Sequence, residues 1–204
     1  MKLKVCGLTC AQDVGAAVTC GAHYLGFIFH PGSPRRVDHA FPATCWTGGS
    51  KKVGVFTGED PEEVREAMDR GKLDLAQLHG GQDADFCRTV GPDRVIKVFW
   101  PEKYESRAEL VADMEAFREA AAYYLFDAGS SGGGHGRSFS RSLLAGLQVP
   151  RPFFLAGGIA PGSVRAAAAL GPYGLDANSG VESAPGVKDT DKLRELAQAM
   201  GLAE

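Results

Sequence analysis

An α/β fold of eight parallel strands closed into a barrel, each strand followed by a helical segment, is predicted by three features of this 204-residue chain. Short apolar runs alternate with helix-like segments eight times, and such alternation means parallel strands joined by helical crossovers. No linker or low-complexity stretch interrupts the series, so residues 1–204 are expected to form a single domain with one sizeable core. The polar residues and glycines that end the strands are spread over many of them. An open doubly wound sheet would concentrate them in one nucleotide-type glycine fingerprint; a (β/α)8, or TIM, barrel gathers them at one face.

The first strand is KLKVC (residues 2–6), and Thr9 can start a helix over residues 12–20 that Gly21 ends. YLGFIF (24–29) is the second strand and runs into the loop HPGSPRRV. Residues 38–49 are poorly patterned and suggest a short helix before the third strand, KKVGVF (51–56). The helix that follows has the clearest local signals. Asp60 can cap it, Pro61 suits its first turn, and Glu63 stands where a capping box needs it. Val64, Ala67 and Met68 then give the i, i+3, i+4 spacing of a buried face, with Gly71 as the stop.

LDLAQLHG (73–80) is the fourth strand, with Gln77 and His79 on one face and Leu78 on the other. A short helix over 83–90 leads to the fifth strand, RVIKVFW (94–100). Leu110, Val111, Met114 and Phe117 mark the apolar stripe of a longer helix. The sixth strand, 123–126, is too short and too aromatic for a helix, and it ends on Asp127 before a glycine-rich loop. A helix over 140–147, the strand PFFLAGGI (152–159) and a helix opened by Pro161 come next. A short eighth strand, GLDANSGVE (174–182), precedes a last helix whose face is Leu193, Leu196, Ala197 and Met200.

Composition narrows the function classes. A formal charge of −3 without a basic run argues against nucleic acid or an anionic membrane as the main partner. No apolar stretch is long enough for a transmembrane helix, and the N-terminus lacks a signal-peptide layout, so a cytoplasmic protein is expected. The five cysteines are odd in number and scattered, which disfavours a disulfide framework. Cys6 and Cys10 have no second Cys/His pair nearby to complete a zinc site.

In a barrel of this kind the strand ends supply the chemistry. Cys6 ends the first strand beside Gly7, with Lys4 on the same side by the two-residue period. It is either a buried structural thiol or, with its pKa lowered by the lysine, a thiolate base or nucleophile. Asp127 directly follows an apolar run, and partial burial would let it act as an acid; a solvated carboxylate or helix cap is the alternative. A base on strand one facing an acid on strand six suits proton transfer at a carbon beside C=N or C=O. The Gly157-Gly158 and Asn178-Ser179-Gly180 turns after the last two strands offer backbone N–H groups for a phosphate. Arg35 can pair bidentately with a carboxylate or sit exposed on its loop. His79 can donate to a substrate or satisfy itself at a strand end.

The segments KVCGLT (4–9), GFIF (26–29) with SPR (33–35), VGVF (53–56), QLHG (77–80), LFDA (125–128) with GGHG (133–136) and Phe139, LAGGI (155–159), and NSGVE (178–182) with PGVKD (185–189) cover nearly the whole chain. Taken in this order they resemble the phosphoribosylanthranilate isomerase family of tryptophan biosynthesis. The resemblance implies an Amadori rearrangement of N-(5-phosphoribosyl)anthranilate, a small phosphosugar substrate, with no metal or cofactor and a monomeric or homodimeric protein. It also implies roles: Asp127 as general acid, Cys6 as general base, Arg35 on the substrate carboxylate, His79 and Lys4 near the substrate, and Gly157, Gly158, Ser179 and Gly180 around the phosphate. Two positions depart from the family pattern, His135 in place of a small hydroxyl residue and Arg141 in place of a frequent tryptophan. Two rivals are a related isomerase that also serves histidine biosynthesis and a phosphate-ligand binding module without catalysis. The first needs a second phosphate site; retention of both Cys6 and Asp127 argues against the second.

Overall fold

The computed structural model describes residues 1–127 and 141–202. Eight strands close into a barrel: β1 (Lys2–Val5), β2 (Tyr24–Ile28), β3 (Lys51–Phe56), β4 (Leu75–Leu78), β5 (Val95–Phe99), β6 (Tyr123–Asp127), β7 (Phe153–Ala156) and β8 (Gly174–Ala177). Each strand pairs in parallel with its neighbour in sequence, and β1 pairs with β8, setting Lys4 beside Asp176. Between them lie α1 (Ala11–Thr19), α2 (Phe41–Thr44), α3 (Pro61–Gly71), α4 (Ala84–Val90), α5 (Arg107–Ala116), α6 (Arg141–Leu144), α7 (Val164–Ala168) and, last, α8 (Thr190–Ala199). No helix among the described residues is long and apolar enough to cross a membrane.

The strand sequences are apolar almost throughout because both faces are covered. Outward residues such as Leu3, Val5, Leu25, Phe27, Ala76 and Leu78 pack with the helix faces in one large core. Inward residues form a second cluster, with Tyr24, Val53, Leu75, Ile96, Val98, Leu125 and Phe154 filling the barrel. Its amino end is plugged by aromatic rings. Tyr24, Tyr123, Phe154 and Tyr173 meet at centroid separations of 5.1 to 6.4 Å, and the Tyr24 and Tyr173 hydroxyls hydrogen-bond at 2.9 Å.

Most elements form where the sequence predicts, and the exceptions have physical causes. Thr9 does not cap α1; its hydroxyl donates instead to the Gly186 carbonyl at 2.7 Å, and Cys10 takes the cap position without a side-chain bond. Gly71 is the last residue of α3 rather than its stop. Lys72 takes the left-handed turn (φ 49°), and Gly71 is small because a Cβ there would fall 2.8 Å from the His39 carbonyl oxygen. Val111 is exposed while Leu110 and Met114 are buried, so the apolar stripe of α5 is narrower than the sequence suggested. Residues 38–49 hold only the four-residue α2. The expected helix over 140–147 is α6 alone, with residue 140 outside the described residues. Pro161 opens a 3-10 turn, Pro161–Ser163, that leads into α7.

The largest difference concerns strand eight. It stops at Ala177, and the polar NSG segment turns into a short 3-10 helix, Ser179–Val181. A hairpin of β9 (Glu182–Ala184) and β10 (Val187–Lys188), joined through Gly186 at φ 83°, then returns the chain to α8. A two-stranded ribbon this short has too little periodicity to be legible beforehand.

At α3 the capping box is complete: Asp60 Oδ1 accepts from the Glu63 N–H at 2.9 Å, and Glu63 Oε2 accepts from the Asp60 N–H at 3.3 Å. Val64, Ala67 and Met68 are buried beneath it. Asp60→Ala is therefore expected to lower the unfolding free energy by about 1 kcal/mol. Equilibrium urea denaturation would read this as a lower midpoint at unchanged slope, and an unmoved midpoint would show that the cap carries no stability here.

Candidate active site

The carboxyl ends of the strands surround a cavity of about 540 Å³. Cys6, His79, Asp127, Gly157, Gly158, Ser179 and Gly180 all line it, so seven of the nine residues singled out in the sequence meet at one rim. Lys4 and Arg35 do not line it; Lys4 is buried below the rim, and Arg35 lies beside Gly7 with its guanidinium on Glu182. The loop with His135 and the side chain of Arg141 lie outside the described residues.

Cys6 leaves β1 with its N–H on the Ala177 carbonyl at 2.8 Å, which fixes it to the end of β8. Its thiol faces Gly26 of β2, where a Cβ would stand 2.7 Å from Sγ, so only glycine leaves the sulfur room. The expected lowering of its pKa does not hold. Burial pushes the Cys6 thiol up, and this outweighs the pull of Lys4. Asp176 accepts from Lys4 Nζ at 2.8 Å and takes up much of that ammonium's field. Lys4 itself is fully buried; burial pulls its pKa down, but Asp176 and Cys6 together hold it above the usual lysine value.

Asp127, the last residue of β6, presents its carboxylate to His79, with Oδ2 3.5 Å from Nε2. The Gln77 amide lies 3.1 Å from His79 Nδ1. With that amide donating, the imidazole carries its hydrogen on Nε2, aimed at Asp127. Burial pulls the His79 pKa down to about 4, so the ring is neutral at working pH. The Trp100 indole packs against it in a T-shaped arrangement, with centroids 5.3 Å apart.

Three residues of the site were not singled out from the sequence. Asp176 is an acid in an apolar strand, on the inward side and two residues before Asn178, which is the signal that could have found it. Its Oδ2 holds Lys4, while the buried Oδ1 has no hydrogen-bond partner among the described residues and the residue borders the cavity. Burial pushes its carboxyl up. His30, two residues past β2, and Thr57, directly after β3, join across the rim with Nδ1 and Oγ1 3.0 Å apart.

The two glycine turns touch one another. A Cβ on Gly180 would stand 2.0 Å from the Ile159 carbonyl oxygen, so the turns after β7 and β8 approach at backbone distance and glycine is required at that point. Ser163 Oγ sets the first turn, accepting from the Ala160 N–H at 3.0 Å and lying 3.1 Å from the Gly158 carbonyl oxygen. The Ser179–Val181 turn begins at the cavity wall, where Ser179 and Gly180 line it, and the first N–H groups of such a turn have no partners within it. Among the described residues no group of three or more His, Cys, Asp and Glu side chains is placed to hold a metal ion.

Comparison with known proteins supplies the family. The family model for N-(5'-phosphoribosyl)anthranilate isomerase matches residues 3–199. A relative of that name from Maridesulfovibrio salexigens is 48% identical over 98% of each chain, and one from Desulfovibrio desulfuricans is 47% identical over 95% of this chain and 92% of its own. The solved phosphoribosylanthranilate isomerase from Thermus thermophilus superposes with a TM-score of 0.81 at 37% identity over 98% of both chains. The one from Thermotoga maritima gives 0.87 at 30% identity over 99% of this chain and 100% of its own. Another isomerase of this kind, 28% identical with a TM-score of 0.80 over 99% and 100% of the two chains, was solved with reduced 1-(o-carboxyphenylamino)-1-deoxyribulose 5-phosphate. With a family model covering almost all its residues and close relatives spanning its whole length, this chain belongs to the N-(5'-phosphoribosyl)anthranilate isomerase family.

Proposed function

We propose that the protein isomerises N-(5-phosphoribosyl)anthranilate to 1-(o-carboxyphenylamino)-1-deoxyribulose 5-phosphate, a step of tryptophan biosynthesis, with Asp127 as general acid and Cys6 as general base. The observation that carries this reading is the sharing of one cavity by a thiol from β1, a carboxyl group from β6 and two glycine turns from β7 and β8. A phosphate at the turns would leave the sugar ring lying between thiol and carboxyl. The cavity volume is in the range that encloses a ligand of this size.

In the first step the Asp127 carboxyl gives its proton to the furanose ring oxygen. The C1′–O bond breaks as the nitrogen lone pair forms C=N, and the ring opens to a protonated Schiff base. In the second step the Cys6 thiolate removes the C2′ proton. The electrons of that C–H bond form C1′=C2′, the iminium nitrogen becomes an amine, and the enolamine then tautomerises to the ketone. The cationic nitrogen acidifies the C2′ proton, and a thiolate held at high pKa is a strong base for it. Lys4, one inward position below Cys6, supports negative charge on the sulfur.

The remaining groups orient the reactants. His79, with Nε2 3.5 Å from Asp127 Oδ2, orients that carboxyl group. Asp176, in the cavity wall, holds Lys4 in place through Oδ2. Arg35 receives the anthranilate carboxylate.

Cys6→Ala and Asp127→Asn are each expected to lower kcat by about 10²–10⁴-fold. The assay follows fluorescence of freshly made substrate as it disappears, with circular dichroism and urea melts confirming that both variants fold. Near wild-type turnover in either variant would remove that residue from the mechanism.

The pH profile is a second test. Because the active form of Cys6 is the thiolate and burial raises its pKa, kcat/KM should climb with pH through a limb above the ordinary thiol value of about 8.5. Lys4→Met removes a group that pulls this pKa down, so it should move the limb higher still, in protein whose thermal unfolding stays cooperative. A limb near neutrality that ignores the substitution would contradict the assignment of the base.

A further inference from the structure

Glu182, the first residue of β9, is a buried carboxylate to which no catalytic or substrate-binding role has been given so far. It grips Arg35 side-on: Oε1 accepts from Nε at 2.9 Å and Oε2 from Nη2 at 2.6 Å. The same Oε1 accepts from Lys188 Nζ at 2.8 Å and from the Gly186 N–H at 3.2 Å. Lys188 is in turn tied down, its Nζ on Asn178 Oδ1 at 3.0 Å and its N–H on Asp13 Oδ2 at 2.9 Å. The carboxylate is thus fixed by the hairpin, and the hairpin by β8 and α1.

A guanidinium has two forks. In Arg35 the Nε/Nη2 edge is occupied by Glu182, and Nη1 has no hydrogen-bond partner among the described residues, so the end-on Nη1/Nη2 edge keeps unmatched donor hydrogens. The side chain lies over Gly7, where a Cβ would stand 2.7 Å from Arg35 Cδ, and so next to the catalytic thiol's own residue. The cluster of Arg35, Lys188 and Glu182 holds two cations and one carboxylate, a net single positive charge. Burial would raise the Glu182 carboxyl, but its hydrogen bonds from Arg35 and Lys188 outweigh this and hold it at about 2, so this carboxylate stays ionised in the working pH range.

We propose that Glu182 is a positioning residue for substrate selection: by holding one edge of Arg35 it aims the other at the carboxylate on the substrate's aromatic ring. The inference rests on the assignment of Arg35 to that carboxylate. It makes a prediction opposite in sign to simple electrostatics. Glu182→Gln raises the local charge by one unit, which alone would tighten binding of an anion. If aiming dominates, binding weakens.

The test compares two substrates, the phosphoribosyl arylamine made from anthranilate and the same compound made from aniline, which lacks the carboxylate. Glu182→Gln is expected to raise KM for the first by roughly tenfold, about the worth of one misaligned charged hydrogen bond, with kcat within a few-fold and KM for the aniline compound unchanged. Arg35→Ala should do the same or more, and adding Glu182→Gln to Arg35→Ala should change nothing further. Glu182→Asp keeps the charge but is one methylene short of Arg35; it should also raise KM and serves if the glutamine variant does not fold.

Each alternative outcome has a distinct reading. An unchanged or lower KM in the Glu182 variants, with Arg35→Ala impaired, overturns the positioning role alone. Equal impairment on both substrates shows a merely structural carboxylate and overturns it too. An Arg35→Ala protein with normal KM for the anthranilate compound removes Arg35 from the carboxylate, and the role of Glu182 with it.

Discussion

Every strand of the barrel runs in the same direction, and β1 closes on β8 without an antiparallel partner. This forces all eight carboxyl ends to one rim, and the two-residue period of a strand then decides which side chains lean inward there. Cys6, His79 and Asp127 meet across the rim for that reason, although they are far apart in sequence and stand at the ends of three separate strands. The amino end, by contrast, is sealed by tyrosine and phenylalanine rings. The scaffold is apolar at one end so that it can be polar at the other.

Between these ends lies a largely buried pair of opposite charges. Lys4 and Asp176 face each other across the closing seam, the lysine fully buried. A buried ion pair is poor evidence of stability, since desolvation offsets most of the attraction. Its significance here is electrostatic and local. The ammonium lies within reach of the Cys6 sulfur, while the carboxylate limits how far it can acidify that thiol. The site therefore keeps a thiol of raised pKa near a cation, rather than a permanently ionised thiolate.

Much of this was legible in the sequence. The eight-fold alternation gave the barrel, α3 announced itself through Asp60, Pro61 and Glu63, and the polar strand ends marked the rim. What escaped was non-local. Asp176 looks like one acid in a weak strand until Lys4, 172 positions away, is seen beside it. The sign of the Cys6 shift depends on how deeply the thiol is buried and on what Lys4 pairs with, neither of which a spacing rule contains. Arg35 could be read as a carboxylate partner or an exposed loop arginine, but its partner Glu182 could not be seen, since it lies in a hairpin too short to show periodicity.

The closing seam also has a meaning in time. β1 is made first, yet its partner on one side is β8, and the Lys4–Asp176 contact spans almost the entire chain. Contacts of such sequence separation are formed late, because the entropy of closing so long a loop is lost before the contact is gained. During synthesis β1 can pair with β2 while its other edge stays open and the ammonium of Lys4 stays hydrated. Only when residues 174–177 arrive does that edge close and the lysine lose its water. The last strand to emerge thus completes both the barrel and the electrostatic setting of the thiol at position 6. A chain cut short before β8 would carry Cys6, His79 and Asp127 but lack the carboxylate that balances Lys4.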